Sequence, residues 1–196
     1  MAVDRERVVS LVRELLEAIG EDPDRPGLRL TPERVADAYG EFFSGVGADA
    51  SAPLAHTISV ARGPAPETLP SGAVMLRDIR FRSVCEHHLL PFRGHAHIAY
   101  LPGEQVVGLG ALPKVVDILA SRPQVQERLG EQIADTIAAS LDARGVLVVL
   151  EASHECVTMR GDRQTDASTV TIAARGDFTD PTARAELMVL LGGARE

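Results

Sequence analysis

The chain has 196 residues, in which 28 Asp and Glu outnumber 20 Lys and Arg and give a formal net charge of −8 at pH 7. This length predicts one domain with at most a small addition, and the acidic balance argues against a nucleic-acid-binding protein, which needs a basic surface. No apolar run approaches the roughly 20 residues that cross a bilayer, and the charged start is unlike a secretion signal. We therefore expect a cytoplasmic protein without a membrane partner, whose two cysteines are reduced and available as ligands.

The spacing of apolar residues predicts ten elements, with a period of about 3.6 residues for helices and alternation for strands. In chain order they are helices over 8–19 and 31–43, strands over 56–60, 74–84 and 95–101, helices over 110–120 and 122–141, strands over 146–150 and 169–173, and a helix over 182–191. We expect residues 1–55 to form an N-terminal helical segment and residues 56–196 to form the body of a single functional domain.

Local signals support several of these predictions. Thr31 is expected to cap the second helix, with Pro32 in its first turn. Alternation in the first long strand shifts once, which indicates a β-bulge. The continuous apolar run over 146–150 predicts a strand that is buried on both faces. The helix predicted from Arg122-Pro123 carries an apolar stripe with members four residues apart. That stripe comprises Val125, Leu129, Ile133, Ile137 and Leu141.

The order of these elements predicts the fold class. Two strand pairs on either side of two helices indicate an α+β fold, in which an antiparallel sheet has both helices packed on one face. The sequence has no evident internal repeat, which argues against a repeat protein.

A metal site is predicted from the two cysteines. Cys85 and His88 are three residues apart, close enough in a turn for both to reach one ion, and Cys156 follows the predicted buried strand. Two Cys and one His form a known zinc ligand set that leaves a fourth position for water. His87 and His154 adjoin these residues and are well placed to move protons. Two alternatives stay open: the cysteines are small buried apolar residues, or the zinc is structural and His87 or His154 completes its coordination.

Two further groups could bind a substrate. Gln126 and Glu127 lie near a helix start, where a carboxylate can accept two N–H groups from a guanine-like edge. The alternative is a solvated first turn, in which Glu127 suits the helix dipole. Arg160 could clamp a phosphate or simply lie on the surface.

Three long motifs carry a family resemblance. They read Cys85-Glu-His-His-Leu-Leu-Pro-Phe-Arg-Gly-His, Arg122-Pro-Gln-Val-Gln-Glu-Arg-Leu and Glu151-Ala-Ser-His-Glu-Cys-Val-Thr-Met-Arg-Gly. Together with Gly27-Leu-Arg-Leu-Thr-Pro-Glu-Arg, they closely resemble GTP cyclohydrolase I over about residues 8–178. The resemblance implies the tunnelling fold, or T-fold, in which sheets of several subunits close into a β-barrel ring. It also implies a homodecamer of two pentamers, with active sites between subunits.

The resemblance implies the chemistry of the predicted metal site. Cys85, His88 and Cys156 match the zinc ligands of the family. His154 matches the histidine that protonates the imidazole ring of the substrate as water attacks C8, and His87 matches a second catalytic histidine. The implied reaction opens the imidazole ring of GTP, releases formate and, after rearrangement of the ribose, yields 7,8-dihydroneopterin triphosphate.

Substrate contacts are implied in the same way. Gln126 and Glu127 match residues that hold the guanine edge, and Glu127 is also expected to take part in catalysis. Arg160 and Arg34 match arginines that contact the triphosphate, with Arg34 reaching in from a neighbouring subunit. Lys114 stands where the family has a further arginine.

The sequence departs from the family near the expected triphosphate site. Gly110 and Ala111 replace the Ser and Lys of the family motif Gly-Leu-Ser-Lys, while Asp162 and Asp166 add negative charge beyond Arg160. Loss of one cationic contact to a polyphosphate costs on the order of 1.5–3 kcal/mol of binding free energy. This weakens the binding affinity roughly ten- to more than a hundredfold.

Three hypotheses therefore stay open. The first is GTP cyclohydrolase I itself, and the second is a paralogue that opens a guanine-like base or nucleoside without the triphosphate, such as an oxidised guanine. The third is a non-catalytic, zinc-stabilised ring that binds a purine or a partner. The presence of His87, His154 and Glu127 argues against the third hypothesis, since a site without catalysis does not need them.

Overall fold

A five-stranded sheet forms the centre of the molecule, in a computed structural model that describes residues 3–59 and 72–192. Its strand order is β5-β2-β3-β6-β7, and β1 and β4 form a separate antiparallel pair. The strands are β1 Thr57–Ser59, β2 Val74–Cys85, β3 Pro91–Leu101, β4 Gln105–Val107, β5 Pro123–Gln124, β6 Gly145–His154 and β7 Thr169–Gly176. The α-helices are α1 Arg5–Ala18, α2 Thr31–Phe42, α3 Ala111–Ala120, α4 Gln126–Leu141, α5 Glu155–Thr158 and α6 Pro181–Gly192. This architecture confirms the predicted α+β class.

A short parallel strand takes the place of the predicted first turn of α4. β5 pairs in parallel with the end of β2, and α4 begins only at Gln126, after the extended residue Val125 (φ −111°, ψ 146°). The prediction of a helix from Arg122-Pro123 is therefore wrong, and the sheet is mixed because one of its four pairings is parallel. Pairing with a distant strand overrides the local helix signal here, and an edge strand tolerates the missing N–H of Pro123.

Smaller differences occur at the ends of other elements. Thr31 is the first residue of α2 and not its cap, since the cap position belongs to Leu30, while Pro32 lies in the first turn as predicted. The strand predicted over 56–60 is observed as β1, and residue 60 lies outside the described residues. β4 and α5 were not predicted, because elements of three or four residues are too short for a period in the apolar residues to show.

Helices α3 and α4 pack together on one face of the sheet, as predicted. Four of the five residues of the predicted stripe are buried in this main core, and only Val125 is partly exposed, where it precedes the helix. Each fully buried aliphatic side chain of this kind stabilises the fold by about 1.5–3 kcal/mol. The stripe therefore decides which face of α4 meets the sheet and which face carries polar residues.

Strand β6 is buried on both faces, which confirms the prediction from its continuous apolar run. Val148 and the residues two positions before and after it belong to the main core. Leu147 and Val149 point to the other face, where they form a second core cluster with Phe178 and Leu187. The predicted bulge in β2 is also confirmed, since its register to β3 shifts between Leu76 and Ile79. In consequence α3 and α4 cover one face of the sheet, and α6 covers part of the other face.

The N-terminal helices α1 and α2 pack on each other. Asp4 caps α1 by accepting a hydrogen bond from the backbone N–H of Arg7 at 3.1 Å, and Arg5 forms an ion pair with Asp37 of α2 at 2.7 Å. Within the part of the chain that the structure describes, every helix is too short or too polar to span a bilayer.

Candidate metal centre and active site

The three candidate metal ligands come from the ends of two strands that are far apart in sequence. β2 ends at Cys85, and the turn that follows is closed by hydrogen bonds from Leu89 N to Cys85 O and from Cys85 N to Leu90 O, both 2.8 Å long. β6 ends at His154, directly before α5, which carries Cys156. β3 lies between these two strands and pairs with both of them, so that their ends meet at the same edge of the sheet.

The ligand atoms of Cys85, His88 and Cys156 all lie within 4.8 Å of one another, and Cys85 Sγ is 4.0 Å from His88 Nδ1. Zinc–sulfur bonds of about 2.3 Å and zinc–nitrogen bonds of about 2.0 Å require ligand separations of roughly 3.5–3.8 Å in a tetrahedron. A small contraction therefore suffices for coordination. Two sulfurs and one imidazole are also a donor set that zinc prefers, so the residues present fit the metal.

The environment of the cysteines bears on how they bind a cation. Burial and the neighbouring thiol of Cys85 raise the pKa of Cys156, while the positive charge of Arg160 acts in the opposite direction. Cysteine binds metals as the thiolate, so metal binding must displace protons from these groups.

His154 lies between two side chains that fix its ring. Its Nε2 is 2.8 Å from Oε1 of Gln126, and the ring of Phe92 stacks on it with centroids 4.6 Å apart and planes 9° from parallel. Burial lowers the pKa of His154, and the nearby carboxylate of Glu127 opposes this shift. The balance favours a neutral imidazole at neutral pH, able to accept or pass a proton.

Gln126 is only 1% exposed, and its polar atoms are already bonded within the protein. Its amide nitrogen donates to Leu150 O at 3.0 Å, to Thr169 O at 2.9 Å and to Thr171 Oγ1 at 3.2 Å. The contact to the guanine edge that the resemblance implied stays a prediction, and in this structure the side-chain amide makes all its hydrogen bonds within the protein. A signal was present in the sequence, since Gln126 lies three and seven residues before Leu129 and Ile133 and so falls on the buried face of α4.

Glu127 and its neighbour Arg128 lie on the exposed side of the first turn of α4. Arg128 forms a two-pronged ion pair with Glu86, with bonds of 2.5 and 3.0 Å, and this pairing lowers the pKa of Glu86. The pair attaches the turn that carries Cys85 and His88 to α4. Sequence reasoning missed both partners, although each directly follows a residue that it had singled out.

The remaining predicted residues lie at different distances from Cys85, His88 and Cys156, which we call the metal cluster. Arg160 donates from Nη1 to Nε2 of His88 at 3.0 Å. His87 is exposed and its ring meets that of His88 edge-on, with centroids 6.3 Å apart. Lys114 and Arg34 are exposed on α3 and α2, and among the described residues no hydrogen bond or ion pair joins them to the cluster. A single chain thus brings the candidate metal ligands, His154 and Arg160 together, whereas Lys114 and Arg34 lie apart from them.

A candidate Cys₂His metal site beside a half-buried histidine, at the edge of an α+β sheet, is the kind of site that metal-dependent hydrolases use. The model of the GTP cyclohydrolase I family matches residues 8–192, and the chain belongs to this family. A protein named GTP cyclohydrolase 1 from Leifsonia xyli subsp. xyli is 63% identical over 96% of both chains. Proteins of the same name from Rhodopirellula baltica and Bacillus subtilis are 52% and 50% identical, and they align with 98% and 95% of this chain and with 81% and 95% of their own lengths.

Proposed function

We propose that this protein is a zinc-dependent GTP cyclohydrolase, which converts one GTP and one water into one formate and one 7,8-dihydroneopterin triphosphate. The observation that carries this proposal is the convergence of Cys85, His88 and Cys156 within 4.8 Å, beside a His154 ring that Gln126 and Phe92 hold in place, in a chain of the GTP cyclohydrolase I family. A zinc ion held by these three residues supplies Lewis acidity that makes water nucleophilic near neutral pH.

The residues around this site supply the remaining chemistry in this proposal. His154 transfers a proton to the ring nitrogen of the substrate as water adds at C8, and His87, which is exposed, serves as a second proton carrier. The carboxylate of Glu127 accepts two N–H groups from the guanine edge. Arg160, which already lies beside His88, binds phosphate through its planar guanidinium.

We also propose that the chain assembles into a T-fold ring, a homodecamer of two pentamers, in which Lys114 and Arg34 reach the active site of a neighbouring subunit. Both residues lie apart from the metal cluster of their own chain, which supports this arrangement. The exposed edge strand β7 offers backbone groups for pairing with another sheet, and α1 exposes an apolar stripe of three residues. The stripe is formed by Leu11, Leu15 and Ile19, the residue directly after α1, which are 52%, 58% and 65% exposed.

Light scattering coupled to size exclusion tests the assembly. A decamer of the 20.9 kDa chain is expected to have ten times the mass of the monomer. An active monomer would contradict the proposal, because Lys114 and Arg34 could not then complete a site from a second subunit.

A substrate panel tests the reaction. Zinc-loaded protein is incubated with GTP, guanosine, guanine and 8-oxoguanine, while formate, pterin fluorescence and the loss of ultraviolet absorption by each purine are followed. The absorption is needed for 8-oxoguanine, whose C8 already carries an oxygen and cannot leave as formate. Pterin formed from GTP supports the proposal and excludes the paralogue. Turnover of the unphosphorylated purines alone would instead indicate the paralogue, which the uncharged Gly110 and Ala111 at the start of α3 favour. Bound zinc without turnover of any purine would refute catalysis at C8.

Glu127→Gln tests the guanine contact, with Glu131→Gln as a control in the same helix. Loss of one acceptor charge at Glu127 is expected to raise KM for GTP strongly. Glu131 is bonded to Arg175, away from the cluster, and its replacement is expected to leave KM unchanged. Equal KM values in the two variants would contradict the role of Glu127.

A further inference from the structure

The orientation of the Gln126 side chain is determined by its surroundings. Its amide nitrogen faces two backbone carbonyl oxygens, Leu150 O and Thr169 O, at 3.0 and 2.9 Å. Carbonyl oxygens only accept hydrogen bonds, so the NH₂ group must point towards them. The amide oxygen of Gln126 therefore faces His154, and the reversed orientation would place three acceptors against one another.

The orientation of this amide decides which ring nitrogen of His154 must be protonated. Oε1 of Gln126 can only accept, so Nε2 of His154 must carry a proton and donate across the 2.8 Å contact. Because Nε2 is committed to Gln126, Nδ1 is the ring nitrogen that is left to exchange a proton with a substrate. Phe92, which is fully buried, stacks on the ring and holds its plane.

We propose that Gln126 is a positioning residue, which holds the Nε2–H of His154 and so leaves Nδ1 as the ring nitrogen that carries the proton to the substrate, and that it does not itself bind guanine. This inference rests on the proposed function for the role of His154, but the hydrogen bond from Nε2–H to Gln126 is a property of the protein without substrate. Burial of Gln126 and the use of all its polar atoms within the fold distinguish this role from that of Glu127, its exposed neighbour.

Two variants separate positioning from simple structural support. Gln126→Met has a similar shape but lacks the acceptor for His154. Thr171→Val removes one acceptor of the Gln126 amide nitrogen, 3.2 Å away, and leaves the bond to His154 in place. We expect Gln126→Met to lower kcat by about 100-fold or more, since a general acid contributes about 10²- to 10⁴-fold, with KM for GTP nearly unchanged. Thr171→Val is expected to retain wild-type kcat.

Kinetics can overturn the proposal in two ways. A rise in KM with unchanged kcat for Gln126→Met would indicate a guanine contact. An equal fall in kcat for both variants would indicate a structural role only.

The protonation of Nε2 is measured by ¹⁵N NMR of histidine-labelled, zinc-loaded protein without substrate, with the His154 signals assigned by their loss in His154→Asn. Wild type and Thr171→Val are expected to have a protonated Nε2 in His154. An unprotonated Nε2 in the wild type would overturn the proposal, whether or not Gln126→Met folds. If GTP is not turned over but Nε2 is protonated, the proposed function fails and the positioning by Gln126 stands.

Discussion

Replacement of Phe92 by Leu separates the packing of the core from the positioning of the active site. Phe92 is fully buried. Its ring stacks on His154 with centroids 4.6 Å apart and meets Phe81 edge-on at 6.0 Å. Phe178 is equally buried in the second core cluster, on the other face of the sheet. Phe178→Leu therefore makes the same chemical change away from the site and serves as the matched control.

The expected difference between the two variants follows from their ring contacts. An aromatic pair contributes about 0.5–1.5 kcal/mol beyond the area that it buries, so the two pairs of Phe92 together contribute about 1–3 kcal/mol. Both variants lose apolar contacts, but only Phe92→Leu loses these pairs. We expect its free energy of unfolding to fall below that of Phe178→Leu by this amount. We also expect its kcat to fall, because one wall of the His154 ring is lost, while Phe178→Leu keeps the wild-type kcat.

Urea unfolding with linear extrapolation measures the free energies, and steady-state formate release measures kcat. All samples must have the same protein concentration and saturating zinc, since assembly and metal binding both add to apparent stability. Equal losses of stability and turnover in the two variants would refute the reasoning, and so would a wild-type kcat in Phe92→Leu.

Three further predictions concern the metal site and the strand that positions it. Cys156→Ala removes one of three ligands, so we expect loss of both bound zinc and formate release, and a variant with full zinc content by emission spectrometry would contradict the ligand assignment. Burial and the neighbouring Cys85 raise the pKa of the Cys156 thiol, which therefore keeps its proton at neutral pH in the metal-free protein and must release it on binding. Zinc affinity, measured by chelator competition from about pH 6 to pH 8, is then expected to rise with pH, and a flat profile would exclude thiolate ligation. In Gly94→Ala the new Cβ would lie 1.9 Å from Glu151 O, so β3 and β6 must separate and thermal stability should fall sharply. Gly110→Ala, where a Cβ meets nothing within 4 Å, should change stability by no more than about 1 kcal/mol, and equal losses in the two variants would contradict this account.

Some residues of the candidate site could be predicted from the sequence, and others could not. Cys85, His88 and Cys156 were recognisable because a metal site needs particular donor atoms, and few residue types supply them. The hydrogen bonds of Gln126 were not, because an amide next to a carboxylate in sequence looks like a second substrate contact. Its spacing to Leu129 and Ile133 indicates the buried face of α4, but its bonding partners become evident only when Leu150 and Thr169, far along the chain, supply their carbonyl oxygens.

The sequence by itself determined the features that arise from neighbouring residues. The apolar stripe of α4, the doubly buried β6 and the bulge in β2 all follow from side-chain spacing, because the periods of helix and strand are local properties of the backbone. The tertiary structure alone decided where α4 begins, since Pro123–Gln124 pairs with β2 instead of starting a helix. It also decided that Glu86 and Arg128 connect the ligand turn to α4. These outcomes depend on groups that are about 40 residues apart in the chain, and no local pattern records which distant partner a backbone or charged group will meet.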